Sequence, residues 1–127
     1  MYWRRRKRVP VKSKRQFGSE GESIALTFLR QQGYEIVEQN FVYHHGEIDI
    51  IAKENDTLAF IEVKTRSNRF FGEPEEAVTP KKQELLRRTA EGYVHLRNIS
   101  DTPCRFDVVS IVLVNGAPEC KIIKDCF

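Results

Sequence analysis

No stretch of this sequence is apolar for anything near the ~20 residues that cross a bilayer. The longest candidate, Val108 to Val114, has the length of a buried strand. An apolar segment is also missing after the first basic residues, which argues against a signal peptide, although composition leaves a transit peptide open. Cysteine is scarce and odd in number: Cys104, Cys120 and Cys126 have no metal-type spacing and cannot all pair. Cys104 and Cys120 fall in apparent strands and read as small core residues. A reducing cytoplasm is the simplest compartment for such a chain. Internal repeats and low-complexity segments are absent. So are a Ser-His-Asp set, a phosphate-binding glycine loop and zinc-type ligand spacing. Those absences exclude the commonest hydrolase, nucleotide-binding and zinc-module readings.

What is present is one domain's worth of chain, 127 residues with 40% hydrophobic and 31% charged composition, typical of a globular protein. Its net charge of +3 hides a segregation. Residues 1–16 carry eight basic side chains (Arg4, Arg5, Arg6, Lys7, Arg8, Lys12, Lys14 and Arg15) and no acid, leaving 13 basic against 18 acidic in the remainder. The chain therefore divides into a basic N-terminal arm, 1–16, and a mildly acidic single domain, 17–127. The arm has two readings, a disordered solubilising tail or a segment that neutralises nucleic-acid phosphates.

Phe17, Gly21, Ile24, Ala25, Phe28 and Leu29 recur at helical spacing, so Phe17 to Gln32 is expected to be a helix. Ser19 and Glu22 form a capping-box pattern at its start, and Gly33 is a stop signal. Tyr34–Glu38, Glu47–Lys53 and Thr57–Thr65 read as strands, the last two joined by the turn residues Glu54-Asn55-Asp56. Arg66 to Val78 reads as a loop. Thr79-Pro80 opens a second helix, to about Leu96, with Leu85, Leu86, Ala90, Tyr93 and Val94 inward. Arg105–Val114 is a long apolar strand, and Asn115-Gly116 turns it back through Cys120–Lys124. The order α-β-β-β-α-β-β is that of a layered α/β sheet domain.

The second hairpin carries the chemistry. With Asn55 and Asp56 as turn residues, Asp49 falls opposite Glu62, and Glu47 opposite Lys64. Like charges directly opposite one another destabilise a sheet, so two carboxylates within apolar strands call for a counter-charge. Glu62 and Lys64 are two apart and share a face, which is expected to carry Glu47, Asp49, Glu62 and Lys64 together. A divalent cation suits such a set, because Mg²⁺ is typically held by one or two carboxylates, waters and substrate phosphate. A lysine beside it can orient or deprotonate an attacking water, or stabilise charge developing on phosphorus. The plainer reading is an exposed sheet face with a Glu47–Lys64 ion pair.

The segments Gly46-Glu47-Ile48-Asp49-Ile50-Ile51-Ala52 and Phe60-Ile61-Glu62-Val63-Lys64-Thr65-Arg66 closely resemble the YraN-like family of small bacterial proteins. Gly18-Ser19-Glu20-Gly21-Glu22, Gly33-Tyr34, Asn40-Phe41, Phe71-Gly72 and Arg105-Phe106-Asp107-Val108-Val109 extend the likeness over roughly residues 17–112. That family is similar to the PD-(D/E)xK nuclease superfamily, near the archaeal Holliday-junction resolvases. The resemblance implies a restriction-endonuclease-like core (αβββαβ), with a mixed central sheet flanked by helices and here one extra C-terminal strand. It implies that Asp49 and Glu62 bind Mg²⁺ or Mn²⁺, that Lys64 is the catalytic lysine, and that Glu22 is a further acid from the first helix. Glu22 keeps the alternative of pairing with Ser19. Ile48 stands where the name motif has proline. The implied activity is a metal-dependent endonuclease acting on DNA, branched forms included. The alternative is a non-catalytic nucleic-acid-binding module that retains the nuclease fold. A junction-cleaving role favours a homodimer, for which no surface is legible in the sequence.

Other residues admit two readings. Arg66, Arg69, Lys81 and Lys82 are candidate phosphate contacts, with Phe70 and Phe71 either stacking on bases or folding onto the core. Lys81 and Lys82 stand in a helix's first turn, against the dipole preference. Lys82 or Gln83 is a candidate to project towards the site, and Glu84 and Arg88 have i,i+4 spacing. His44 and His45 read as surface loop, and Asp107 as a structural partner of Arg105.

Overall fold

The computed structural model describes residues 13–66 and 78–127, with side chains from residue 20 onwards. Arg4, Arg5, Arg6, Lys7, Arg8, Arg69, Phe70 and Phe71 lie outside the described residues. The elements are α1 (Ser13–Gln31), β1 (Glu35–Tyr43), β2 (Gly46–Glu54), β3 (Thr57–Arg66), α2 (Pro80–Leu96), β4 (Cys104–Val114) and β5 (Ala117–Ile123). The expected element order holds. Among the described residues no helix is long and apolar enough to cross a membrane.

Strand order in the sheet follows the sequence. Successive strands are antiparallel except β3 and β4, which run parallel with α2 as the crossover. This mixed sheet between two helices is the αβββαβ arrangement with an added C-terminal strand, consistent with a restriction-endonuclease-like core. One face packs Ala25 and Leu29 of α1 against Ile50, Ala52, Ala59, Ile61, Val109 and Ile111. The other packs Leu86, Ala90 and Tyr93 of α2 against Phe41, Ile48, Ile51, Phe60 and Val108. Covering both faces explains why the central strands read as nearly continuous apolar runs.

Local chemistry sets the ends of these elements. α1 stops in a Schellman arrangement: Tyr34 N–H donates to Leu29 O at 3.0 Å and Gly33 N–H to Arg30 O at 3.1 Å, with Gly33 at φ 95°. The side chain of Thr79 accepts from Lys82 N–H at 3.2 Å with Pro80 in the first turn, so α2 begins where the sequence says. At the β4–β5 turn, Asn115 and Gly116 take φ 52° and 80°, as a tight hairpin requires.

Four expectations are corrected. α1 begins at Ser13, so Ser19 lies inside the helix and not at its N-terminal cap, the position that a capping box with Glu22 requires. β1 extends to Tyr43; a register shift near Val37 and a positive φ at Asn40 break the alternation that a longer strand would have displayed. Leu85 is 38% exposed, because it sits towards the edge of the stripe centred on Leu86, Ala90 and Tyr93. Cys104 is exposed at the start of β4, where the strand has not yet entered the core.

Asp107 is structural, as its pairing with Arg105 suggests. Its carboxylate accepts from Arg105 Nε at 3.0 Å, from the Tyr34 hydroxyl at 3.1 Å and from Asp125 N–H at 2.9 Å. Arg105 also reaches Glu54 at 2.6 Å, and Lys124 bonds the same carboxylate at 2.8 Å. The network ties the end of α1, the β2–β3 turn, β4 and the segment after β5 into one polar cluster. Every member has a partner, which is what makes burying Asp107 tolerable.

Candidate active site

The β2–β3 ladder pairs Glu54 with Thr57 and runs in the expected register to Ile50 opposite Ile61. There it ends. β2 continues beside β1 as far as Gly46, while β3 continues beside β4 as far as Arg66. The sheet therefore forks, and Asp49 is the first residue inside the fork. Its Oδ2 accepts a hydrogen bond from Val63 N–H at 2.8 Å, taking the place of the backbone carbonyl that a continued ladder would have supplied.

β2 changes face at this point. Ile48 and Ile51 both belong to the α2-side core although their separation is odd, and Asn40 on the neighbouring strand has φ 52°. One consequence is a correction. Gly46 sits so close to Thr89 of α2 that a Cβ there would collide with it, and Ile48 packs on the same side. Glu47 between them points away and is exposed, so it does not join the cluster opposite Lys64.

β3 shows clean alternation. Ile61 and Val63 face the α1-side core, so Glu62 and Lys64 face α2. Glu62 is only 6% exposed and lies within hydrogen-bonding reach of the Asp49 carboxylate. Burial, followed by the negative charge of Asp49, pushes the Glu62 pKa up to about 8. Burial also raises Asp49, against the opposing pull of the Val63 N–H and of Lys82 and Lys64. The hydrogen bond between the two carboxyl groups works in opposite directions, favouring the protonated form of Glu62 and the ionised form of Asp49. Lys64, half-buried, is held below the usual lysine range by burial first and by Lys82 second.

Lys82 completes the group. It stands in the first turn of α2, with its ammonium 3.8 Å from Glu62 Oε1 and in contact with Lys64. Gln83 turns back instead, donating to Val78 O at 3.0 Å. The sequence also passed over Ser110, buried on β4 directly beside Lys64. Its signal was a lone hydroxyl in the run Val108-Val109-Ser110-Ile111-Val112.

The other candidates divide. Gly21 of α1 sits where a Cβ would press on Thr65 of β3, so α1 crosses beside the site strand and brings half-buried Glu22 to that region. Among the described residues no group of three or more His, Cys, Asp or Glu side chains forms a metal cluster. Arg66 is half-buried at the end of β3 and Lys81 is exposed. Arg88 pairs with Glu84 at 2.7 Å, and Arg87 lies over the rings of Phe106 and Phe127 at 5.4 and 5.3 Å. His44 and His45 are the exposed turn between β1 and β2.

Residues 21–111, from within the first helix through the fork to most of β4, match the profile of Uncharacterised protein family UPF0102. The chain belongs to the UPF0102 family. These are the YraN-like proteins of the sequence resemblance. A UPF0102 protein of Caldicellulosiruptor saccharolyticus is 44% identical over 117 residues, covering 91% of this chain and 99% of that one. One from Geotalea daltonii is 46% identical over 111 residues, 87% of each chain, and one from Acetivibrio thermocellus is 44% identical over 121 residues, 91% and 93%. Asp49, Glu62, Lys64 and Lys82 all lie within the span matched to the UPF0102 family.

Proposed function

We propose that this UPF0102 protein is a metal-dependent endonuclease-type phosphodiesterase acting on nucleic acid, with DNA, branched forms included, as the substrate class. The observation that carries this reading is the pairing of part-buried Asp49 with buried Glu62 in the sheet fork, faced by two lysines. Two carboxylates brought together out of water are unfavourable unless a cation or a proton joins them. Their oxygen-only donor set fits a hard divalent ion such as Mg²⁺ or Mn²⁺, with waters and a phosphate filling the remaining positions.

Asp49 and Glu62 would hold that ion, which supplies Lewis-acid polarisation of a phosphodiester oxygen. The Val63 N–H fixes the Asp49 carboxylate, so one ligand is preorganised by the backbone. Lys64, on the same face as Glu62, would partner the water that attacks phosphorus. In its neutral form, which burial favours, it takes the water's proton; as ammonium it stabilises charge developing on the phosphoryl oxygens. The new water-derived P–O bond replaces one ester P–O bond, leaving a phosphate monoester and a hydroxyl. A two-fold homodimer would present two such sites to a symmetric branched substrate.

The rival is a binding module that keeps the nuclease fold without cutting. In its favour, Asp49 already serves Val63 and Glu62 already faces Lys82, so both acids have structural work. A cleavage assay with Mg²⁺ or Mn²⁺ across linear, single-stranded, flapped and four-way DNA separates the two. Metal-dependent products that disappear in Lys64→Ala support the enzyme. Binding without products on every substrate supports the module.

A further inference from the structure

Four charges meet at the fork, two carboxylates and two ammonium groups, so the site is already close to neutral when both acids are ionised. A divalent ion entering it meets positive charge at close range. Lys64 is half-buried on the central strand, on the same face as Glu62. Lys82 differs: its backbone is fixed by the Thr79 cap, but its side chain is 41% exposed and approaches Glu62 loosely, at 3.8 Å, from the opposite element. Glu62 itself is nearly enclosed, at 8% side-chain exposure. The geometry points to Lys82 as an internal counter-ion that occupies the cation position on Glu62 and moves to a substrate phosphate when metal loads.

This inference rests on the metal-binding reading of the same pair and adds to it how the site is regulated. Metal and substrate then bind cooperatively. A phosphodiester gives the Lys82 ammonium a second partner, so substrate lowers the cost of vacating Glu62. By linkage, metal must strengthen substrate binding by the same factor. The device keeps the centre poorly loaded until nucleic acid is present, and Lys82 is a positioning residue.

The test is the Mn²⁺ dissociation constant of the full chain, measured by paramagnetic resonance titration without and with a short DNA duplex. It is run for wild type, Lys82→Met and Lys82→Arg at mildly alkaline pH. In wild type, DNA should tighten Mn²⁺ binding on the order of tenfold, a typical coupling. Lys82→Met should bind Mn²⁺ without DNA about tenfold more tightly than wild type and respond to DNA far less. Lys82→Arg, which keeps the charge, should behave like wild type. Unchanged or weaker Mn²⁺ binding in Lys82→Met overturns the inference while leaving the metal site standing. An Arg variant that behaves like Met overturns it too, because charge is then not the cause. If wild type binds no Mn²⁺ in either condition, the nuclease reading itself fails.

Discussion

Replacing Glu62 by glutamine should stabilise the protein in the absence of divalent metal, by an amount that depends on pH in a defined way. Glu62 holds its proton up to about pH 8 in the folded state, against an ordinary value of 4.5. Between those values the folded chain carries a proton that the unfolded chain has released. Stability is therefore full below 4.5 and falls as pH rises through about 8, with a slope of about 1.4 kcal/mol per pH unit. At pH 7 the deficit is on the order of 3 kcal/mol. Glutamine keeps the shape and the donor to Asp49 but never ionises. Thermal unfolding in chelator should show Glu62→Gln close to wild type near pH 4 and about 10 °C more stable near pH 7. Adding Mn²⁺ at about a thousand times its dissociation constant should reverse the order, since ligand at that level stabilises the wild type by about 4.1 kcal/mol and the variant by far less. A variant less stable than wild type across the pH range, or a difference that ignores pH, would refute the reasoning.

Lys64→Ala should abolish cleavage while Mn²⁺ affinity, read by titration, does not fall, since an ammonium is not a ligand. Asp107→Ala should cost about 3 kcal/mol in urea denaturation, because Arg105 and the Asp125 N–H lose a buried partner; Mn²⁺ affinity should survive at temperatures where the variant is folded. Glu54 is held below the usual carboxylate range by Lys124 first and Arg105 next. It therefore adds stability at neutral pH that is lost as pH drops through that lowered value, and Glu54→Gln should flatten the acid limb of a stability–pH curve. Removing residues 1–12, which precede α1, should preserve the fold while weakening DNA binding and reducing its salt dependence, because fewer counterions are released; an unchanged salt slope would make the arm a bystander.

Most of the fold was legible because its signals are local. Thr79-Pro80, Gly33 and Asn115-Gly116 each act through their own backbone geometry, and the apolar runs of β3 and β4 follow from burial on both faces. The register of the second hairpin followed from its turn, which was enough to bring Asp49 and Glu62 together. The fork was not legible. Where the two strands part depends on twist across the whole sheet, and nothing in Gly46-Glu47-Ile48-Asp49 announces that Asp49 will serve Val63 rather than extend a ladder. The same break explains why Glu47, placed with the cluster by strict alternation, faces away. Lys82 was a candidate to project towards the site and a cation at the wrong end of a helix, but the choice between it and Gln83, and its approach to Glu62, depend on how α2 docks on the sheet, which no local pattern encodes.

Calorimetric titration of Mn²⁺ into the wild-type chain with duplex DNA present, alongside an Asp49→Asn, Glu62→Gln double variant, tests most directly whether Asp49 and Glu62 form a divalent-metal site that works on a phosphodiester. The expected result is saturable single-site binding in the wild type that vanishes in the double variant, while DNA affinity without metal is retained or increased. No Mn²⁺ binding by the wild type, or equal binding by both proteins, would contradict the claim and leave the carboxylates as the structural clasp of a forked sheet.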